Sequence, residues 1–315
     1  MKKIALLFPG QGSQYIGMGK DLYDNYPKAR EMLSHANDVL GYDLLKIIFE
    51  GPEELLRQTQ HTQPAIFALS VTMFSVLQNS FNFETSAETI VAGHSLGEYS
   101  ALCAAGVFSY DNGLRLVKKR GEFIQKASEL NPGTMAAVIG LANEAVAEIC
   151  KKAAELGPCE PVNFNSPGQI VIAGTETAVK KAVELASSAG ATKAILLNVS
   201  GPFHSSLMTA ASEMMKQELA NYSLNSPRFK FVANCDAEIT AEPEQIKEKL
   251  VKQINHPVLW DSSIKTMASA GSELFIELGP QRVLSGLLRR IDKTKKSANI
   301  EDIKSLNKTL EELKA

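Results

Sequence analysis

Short apolar runs alternate along this chain with longer stretches of helical spacing, and turns bearing glycine or proline separate them. Ile4, Ala5, Leu6, Leu7 and Phe8 form a continuous apolar run closed by Pro9-Gly10-Gln11-Gly12, which predicts a buried strand and a loop. Helical spacing follows over 23–40 and over 63–77, where Pro64 suits a first turn. Residues 89–92 predict a second buried strand, and a helix is predicted over 111–127. The texture changes at Asn131-Pro132-Gly133. Beyond it come a strand over 135–139, a helix over 143–156, strands over 161–165 and 169–173, a helix over 177–189 and a strand over 193–199. That βαββαβ order is the ferredoxin-like split pattern, so residues 131–200 are expected to form a small domain inserted into a larger one, 1–130 and 201–300. The larger part resumes with a helix over 205–222, a strand over 229–233, helices over 244–254 and 260–270, a strand over 274–278 and a helix over 282–291. Such alternation predicts an α/β architecture with a mostly parallel sheet and helices on both faces. From Lys293 the chain turns polar, and 301–315 is set apart as a tail with one weak amphipathic helix through Ile303, Leu306, Leu310 and Leu313.

Charge and composition narrow the function classes. Lys+Arg 33 against Asp+Glu 35 gives a net charge of −2, without the basic excess of a nucleic-acid binder. Apolar residues at 44% and charged residues at 22% are those of a folded protein rather than a disordered one. Cys103, Cys150, Cys159 and Cys235 have the spacing of neither a zinc site nor a disulfide framework, which suits a reducing compartment. The apolar run at 4–8 is too short for a signal-peptide core, and no stretch approaches the roughly 18 apolar residues of a membrane span. A cytoplasmic protein, with no membrane and no nucleic acid among its partners, is expected.

Candidate chemistry begins at Gly93-His94-Ser95-Leu96-Gly97, a G-x-S-x-G pattern between a predicted strand and a small-residue helix running to Val107. Strand–turn–helix is the setting that holds a serine hydroxyl on a strained elbow, and it points to an α/β-hydrolase-like large domain. The two glycines let strand and helix approach closely, and Ala101, Ala104 and Ala105 continue that seam. The helix N-terminus offers backbone N–H groups to an oxyanion, that of Leu96 first. The bland alternative is a serine that only caps the helix. A serine nucleophile needs a base. His94 adjoins Ser95 on a tight turn and should point elsewhere, as a packing or supporting residue. His35 shares a helix with Glu31 and Asp38 and is read as solvated, whereas His61 and His256 are placed in loops and stay open as bases. His204 has the best position, after the strand over 193–199 and the Gly201-Pro202 turn, at the opening of a helix. The alternative there is a histidine that caps its own helix.

Arg120 carries a second signal. On the helical wheel it falls among Leu116, Val117, Phe123 and Ile124, opposite Arg115, Lys118, Lys119 and Glu122. A guanidinium facing the core must find an anion, either an internal carboxylate or one carried by a substrate. Its planar fork suits a carboxylate better than a lysine would.

Taken in order, Phe8-Pro9-Gly10-Gln11-Gly12, Gly93-His94-Ser95-Leu96-Gly97-Glu98, Arg120, Asn163-Phe164-Asn165-Ser166-Pro167-Gly168-Gln169 and Gly201-Pro202-Phe203-His204-Ser205 form a highly specific set. From about residue 4 to 291 the chain closely resembles the acyltransferase family of fatty acid synthesis, in its malonyl-selective, stand-alone bacterial form. That resemblance implies Ser95 as nucleophile, His204 as base, and Gln11 bracing an oxyanion site whose donor is the Leu96 amide. It implies Arg120 as the malonyl carboxylate's partner. Gln253 would supply a main-chain carbonyl that orients His204, in place of the acid of a Ser–His–Asp triad. Phe203 would disfavour branched extender groups, and Asn163 and Asn165 match a small-domain motif near the cleft. The implied substrates are malonyl-CoA and holo-acyl carrier protein, with no bound cofactor, no metal and a monomeric chain. A serine thioesterase or hydrolase of an acyl-CoA is the rival reading, and a non-catalytic docking subunit is a second. Arg120 discriminates against the first, because a hydrolase of neutral acyl chains has no use for it.

Overall fold

A computed structural model of the chain describes residues 3–83 and 89–314. Met1, Lys2 and Ala315, which the expected domain and tail spans include, lie outside the described residues, as does 84–88. The chain enters through β1 (Ile4–Phe8) and then runs through five helices, α1 (Lys20–Asn25), α2 (Pro27–Leu40), α3 (Leu44–Glu50), α4 (Glu53–Arg57) and α5 (Thr59–Ser80). The stretch expected as one helix over 23–40 is two, because Tyr26 is extended (φ −112°, ψ 113°) ahead of Pro27. Helices α3 and α4 were not predicted. Helix α5 begins at Thr59 rather than 63, so Pro64 lies inside it and not in the first turn. Buried on nearly every side, α5 runs through the core, as expected of a helix apolar all round.

Next come β2 (Ile90–Gly93), α6 (Gly97–Ala104) and α7 (Tyr110–Leu130). A second group of elements follows: β3 (Thr134–Ile139), α8 (Asn143–Ala153), β4 (Cys159–Ser166), β5 (Gln169–Gly174), α9 (Glu176–Ser188) and β6 (Lys193–Leu196). After a 3₁₀ turn at Ser206–Met208 the chain continues through α10 (Thr209–Leu219), β7 (Lys230–Val232), β8 (Ile239–Thr240), α11 (Pro243–Gln253), α12 (Trp260–Ser269), β9 (Leu274–Leu278) and α13 (Val283–Ile291). It closes with β10 (Lys296–Ile300) and α14 (Ile303–Lys314).

Two sheets result. The larger has the order β10-β9-β1-β2-β7-β8 and is parallel throughout except for the β7–β8 pair. Its central strands are buried at every position, as parallel strands covered on both faces must be. The smaller, β4-β5-β3-β6, is antiparallel. One of its faces packs on α8 and α9 through Ala136, Val138, Ile170 and Ile172. The other presents Met135, Val162, Val171 and Ala173 to Leu197, Val199 and Phe203. Backbone bonds tie the two sheets' elements together: Phe164 N–H donates to the Val258 carbonyl at 2.9 Å, and Val258 N–H to the Val162 carbonyl at 2.8 Å. No helix among the described residues is long and apolar enough to cross a membrane.

The C-terminal segment departs most from expectation. Lys296, Ser297, Ala298, Asn299 and Ile300 form β10, a parallel partner of β9 with its first residues exposed. A polar edge strand of this kind has no apolar pattern to announce it; its main-chain ladder to β9 carries it. Leu306 of α14 is 0% exposed within the main core, with Ile303, Leu310 and Leu313 packed against that core. The N-terminus of α14 is further held where Ile303 N–H donates to Asp21 Oδ2 at 2.9 Å. Leu306→Ala should therefore cost about 2–5 kcal/mol in a denaturant melt, as core leucine truncations do. An unchanged melt would mean that α14 is a loose appendage.

Candidate active site

The loops that follow β1, β2 and β9 gather at the carboxyl ends of the parallel strands, where open α/β sheets place ligands. Together with α7 and the inner face of the small sheet they enclose a cavity of about 1110 Å³. Ser95 sits at its floor, between β2 and α6, with φ 53°. That left-handed backbone costs a non-glycine residue about 1–3 kcal/mol and needs holding in place. A Cβ on Gly93 would fall on the backbone of Gly97 and Glu98, and one on Gly97 would meet the Phe8 carbonyl, so the elbow closes only with glycine at both positions. Asn234, directly after β7, brackets the turn: its Oδ1 accepts from Ser95 N–H and its Nδ2 donates to the Gly93 carbonyl, both at 2.7 Å. The Ser95 carbonyl accepts from Gln253 Nε2 at 2.8 Å. Leu96 lines the cavity, and its N–H makes no hydrogen bond among the described residues.

His204 also has a left-handed backbone, φ 63°, and precedes the 3₁₀ turn rather than opening an α-helix as expected. Its Nε2 lies 2.7 Å from Ser95 Oγ, and its Nδ1 lies 2.7 Å from the main-chain carbonyl of Gln253. A carbonyl only accepts, so Nδ1 carries the proton and the bare Nε2 accepts from the serine hydroxyl. Burial, and then the Arg120 cation, push the imidazole down from 6.5 to about 3, against the pull of the Gln253 carbonyl. The histidine is thus neutral, and able to take a proton, across the whole physiological range.

Arg120, 2% exposed, reaches the same floor from α7. A Cβ on Gly121 would come within 2.9 Å of the Thr59 carbonyl, so glycine there lets α7 press against the start of α5. The guanidinium donates to Gln63 Oε1 and Gln253 Oε1, both at 2.8 Å, and to Ser95 Oγ at 3.2 Å, and it lies over the Tyr99 ring. Its Nε has no partner, and it forms no ion pair among the described residues. The internal salt bridge weighed as the alternative is therefore absent among them. Glu98 stands one residue away, on the far side of the Gln253 amide, where its carboxyl accepts from Gln253 Nε2 and from Asn234 N–H. Burial pushes Glu98 up to about 8, opposed by those two donors and by Arg120. Burial thus favours the neutral acid near pH 7, and its two oxygens still accept both bonds.

The other anticipated residues divide. Gln11 lines the cavity, its Oε1 held by the Thr59 hydroxyl at 2.9 Å. Phe203 and Asn163 also line it, and Asn163 Oδ1 is buried with no partner. Asn165 does not reach the cavity; it accepts from His94 Nε2 at 2.8 Å, and the His94 ring packs against Trp260. His35 pairs with Asp111 at 2.9 Å at the surface. His61 belongs to α5 rather than to a loop, and His256 bonds to Asn255; neither lines the cavity. Asn234, Glu98, Gln63 and Thr59 were not anticipated as members of the site. No group of three or more His, Cys, Asp or Glu side chains suited to a metal lies among the described residues.

A mixed α/β fold with a histidine-paired serine on a strand–turn–helix elbow is the framework of enzymes that carry an acyl group on serine. The chain belongs to the acyl transferase family: the family's acyl transferase domain matches residues 5–313. That match runs past 291, where the resemblance was expected to end, in keeping with the packing of β10 and α14. The chain is 42% identical to the malonyl CoA-acyl carrier protein transacylase of Haemophilus influenzae, with 98% of each chain covered. The malonyl CoA-acyl carrier protein transacylase of Coxiella burnetii superposes with a TM-score of 0.96 at 35% identity, over 100% of this chain and 98% of that one. A malonyl-transacylase solved in complex with a type II polyketide acyl-carrier protein gives 0.95 at 42% identity, over 98% and 99%.

The depressed His204 has a consequence for pH. A base held at about 3 stays deprotonated as acid is added, so acylation of Ser95 should hold level between about pH 5 and 7. A burst of thiol release that falls with a midpoint near 6.5 would contradict the assignment. Stability moves the other way. The unfolded chain takes up a proton at this position near 6.5 and the folded chain does not until about 3, so this group lowers stability as pH falls through that window.

Proposed function

We propose that this protein transfers the malonyl group of malonyl-CoA to the phosphopantetheine thiol of acyl carrier protein, by way of a malonyl ester on Ser95. The observation that carries the reading is Arg120, a buried cation at the nucleophile with no carboxylate partner among the described residues. An acyl group that brings its own carboxylate supplies the missing charge. The relatives support the same substrate and partner, being named as malonyl CoA-acyl carrier protein transacylases, and one neighbour was solved with an acyl-carrier protein bound.

The reaction runs in two halves. Ser95 Oγ attacks the thioester carbonyl as His204 Nε2 takes its proton. The oxyanion is met by the Leu96 N–H, with Gln11 bracing that side of the site, and Arg120 holds the distal carboxylate. The intermediate collapses, the C–S bond breaks, and CoA thiolate leaves with the proton from His204. The carrier thiol then enters, gives its proton to His204 and attacks the ester. Ser95 recovers its proton as the malonyl thioester departs. No oxidation state changes, so neither half needs a redox group, and we assign no resident metal or cofactor. A dyad oriented by a main-chain carbonyl suffices because a thiolate leaves more readily than an amine or alkoxide.

Phe203 narrows the cavity against branched acyl groups, and Asn163 offers an unpaired acceptor on its small-sheet side. We further read residues 131–200 as a ferredoxin-like insertion in an α/β-hydrolase-like domain of 1–130 and 201–300, acting as a cytoplasmic monomer in fatty acid synthesis. A thioesterase for neutral acyl chains would leave Arg120 without an anion, which disfavours that alternative.

Arg120→Ala separates the readings. Two charge-assisted hydrogen bonds are worth roughly 1.5–3 kcal/mol each, so malonyl-CoA use relative to acetyl-CoA use should fall roughly 10²- to 10⁴-fold. Equal losses with both thioesters, together with a lowered melting temperature, would make Arg120 a structural residue. His204→Ala should slow both half-reactions by about 10²- to 10⁴-fold, since one base serves both. A loss confined to one half-reaction would remove His204 from that role.

A further inference from the structure

Glu98 is 1% exposed in the first turn of α6, and it is not among the residues that line the cavity. One carboxyl oxygen accepts from Asn234 N–H at 2.6 Å and the other from Gln253 Nε2. Both partners are tied to the reacting groups. The Asn234 side chain brackets the Ser95 turn. The Gln253 amide lies between Arg120 and the Ser95 carbonyl, its Oε1 taking the guanidinium and its Nε2 reaching that carbonyl, both at 2.8 Å. Neither partner can change what it asks of Glu98. A main-chain N–H is always a donor. Arg120 only donates, so it keeps the Gln253 oxygen on its own side and leaves the nitrogen for Glu98. Position 98 must therefore supply two acceptors at once. A carboxyl keeps a lone pair on each oxygen whether or not it is ionised, whereas an amide nitrogen has none to offer.

We infer that Glu98 is a positioning residue that locks the Gln253 amide with its oxygen toward Arg120, and so fixes the guanidinium for the substrate carboxylate. The inference rests on the malonyl-transfer reading above. It gives the buried acid a task that does not depend on its charge. Burial favours the neutral form near pH 7, so Glu98→Gln leaves the charge at this position as it is and changes only what the side chain can accept.

In Glu98→Gln the single remaining oxygen must serve the fixed N–H of Asn234. The new NH2 group then faces Gln253 Nε2, donor against donor. Gln253 relieves that pair by turning its amide over, which sets its own NH2 group against Arg120 and displaces the guanidinium. A buried donor left without an acceptor costs enough that the rate of acyl-enzyme formation from malonyl-CoA relative to acetyl-CoA should fall about tenfold or more. A ratio that stays at the wild-type value, with both thioesters unaffected or slowed alike, would overturn the inference whatever the melting temperature does. Gln253→Ala removes the amide and keeps the main-chain carbonyl that orients His204. It should lower the ratio by itself, and adding Glu98→Gln should lower it no further. An unchanged ratio in Gln253→Ala, or an equal further fall in the double variant, contradicts the lock; the first of these decides even where Glu98→Gln fails to fold. A wild-type protein that takes up no malonyl group would fail the function itself, whereas one that does, with the ratio unmoved in the variants, fails this inference alone.

Discussion

A guanidinium with no carboxylate beside it, fully enclosed, is the constraint around which the rest of this site is arranged. Arg120 can only donate, so every group that meets it must turn an acceptor inward. Gln63 and Gln253 do so with their amide oxygens. Their nitrogens are thereby committed elsewhere, that of Gln63 to Thr59 and that of Gln253 to the Ser95 carbonyl and Glu98. One cation thus orients the amides on both sides of the nucleophile. Glu98 stands behind the Gln253 amide and burial favours its neutral form, so it gives Arg120 no ion pair; in the proposed function the substrate's carboxylate takes that place.

Both reacting residues have left-handed backbone, Ser95 at φ 53° and His204 at φ 63°. Strain of that size persists only where the surroundings over-determine it. Here the two glycines of the elbow, the double bracket of Asn234 and the two bonds from Gln253, side chain to Ser95 and main chain to His204, supply the restraint. Gln253 closes α11 and Asn234 follows β7, so elements far apart in sequence meet on one turn. The carbonyl that orients His204 also fixes its tautomer, while burial and Arg120 keep it neutral. A carboxylate in that place would have raised the imidazole instead.

Much of this was legible in the residues. The parallel sheet followed from short apolar runs alternating with helical spacing. Ser95 was visible because a β-branched strand and a small-residue helix flank its pattern, and Arg120 because it stands on the apolar half of its own helix. Gln253 acts through a main-chain carbonyl, which leaves no side-chain signature, and only the family resemblance pointed to it. Asn234 and Thr59 were missed because their partners lie 139 and 48 residues away, and only the folded chain brings them close. Gln63 opens the predicted helix over 63–77 directly after the polar Thr59-Gln60-His61-Thr62, and nothing in that polar stretch separates it from a solvated helix start. Strand β10 stayed hidden because an edge strand held by its backbone needs no apolar alternation.

Acyl transfer through Ser95 requires a covalent adduct at one oxygen. Intact-mass spectrometry of the protein after brief exposure to malonyl-CoA, followed by peptide mapping, reads it directly. One malonyl group located on Ser95, absent from Ser95→Ala and discharged by holo-acyl carrier protein, is the predicted result. A malonyl adduct that persists in Ser95→Ala, or a wild-type protein that takes up none, would contradict it.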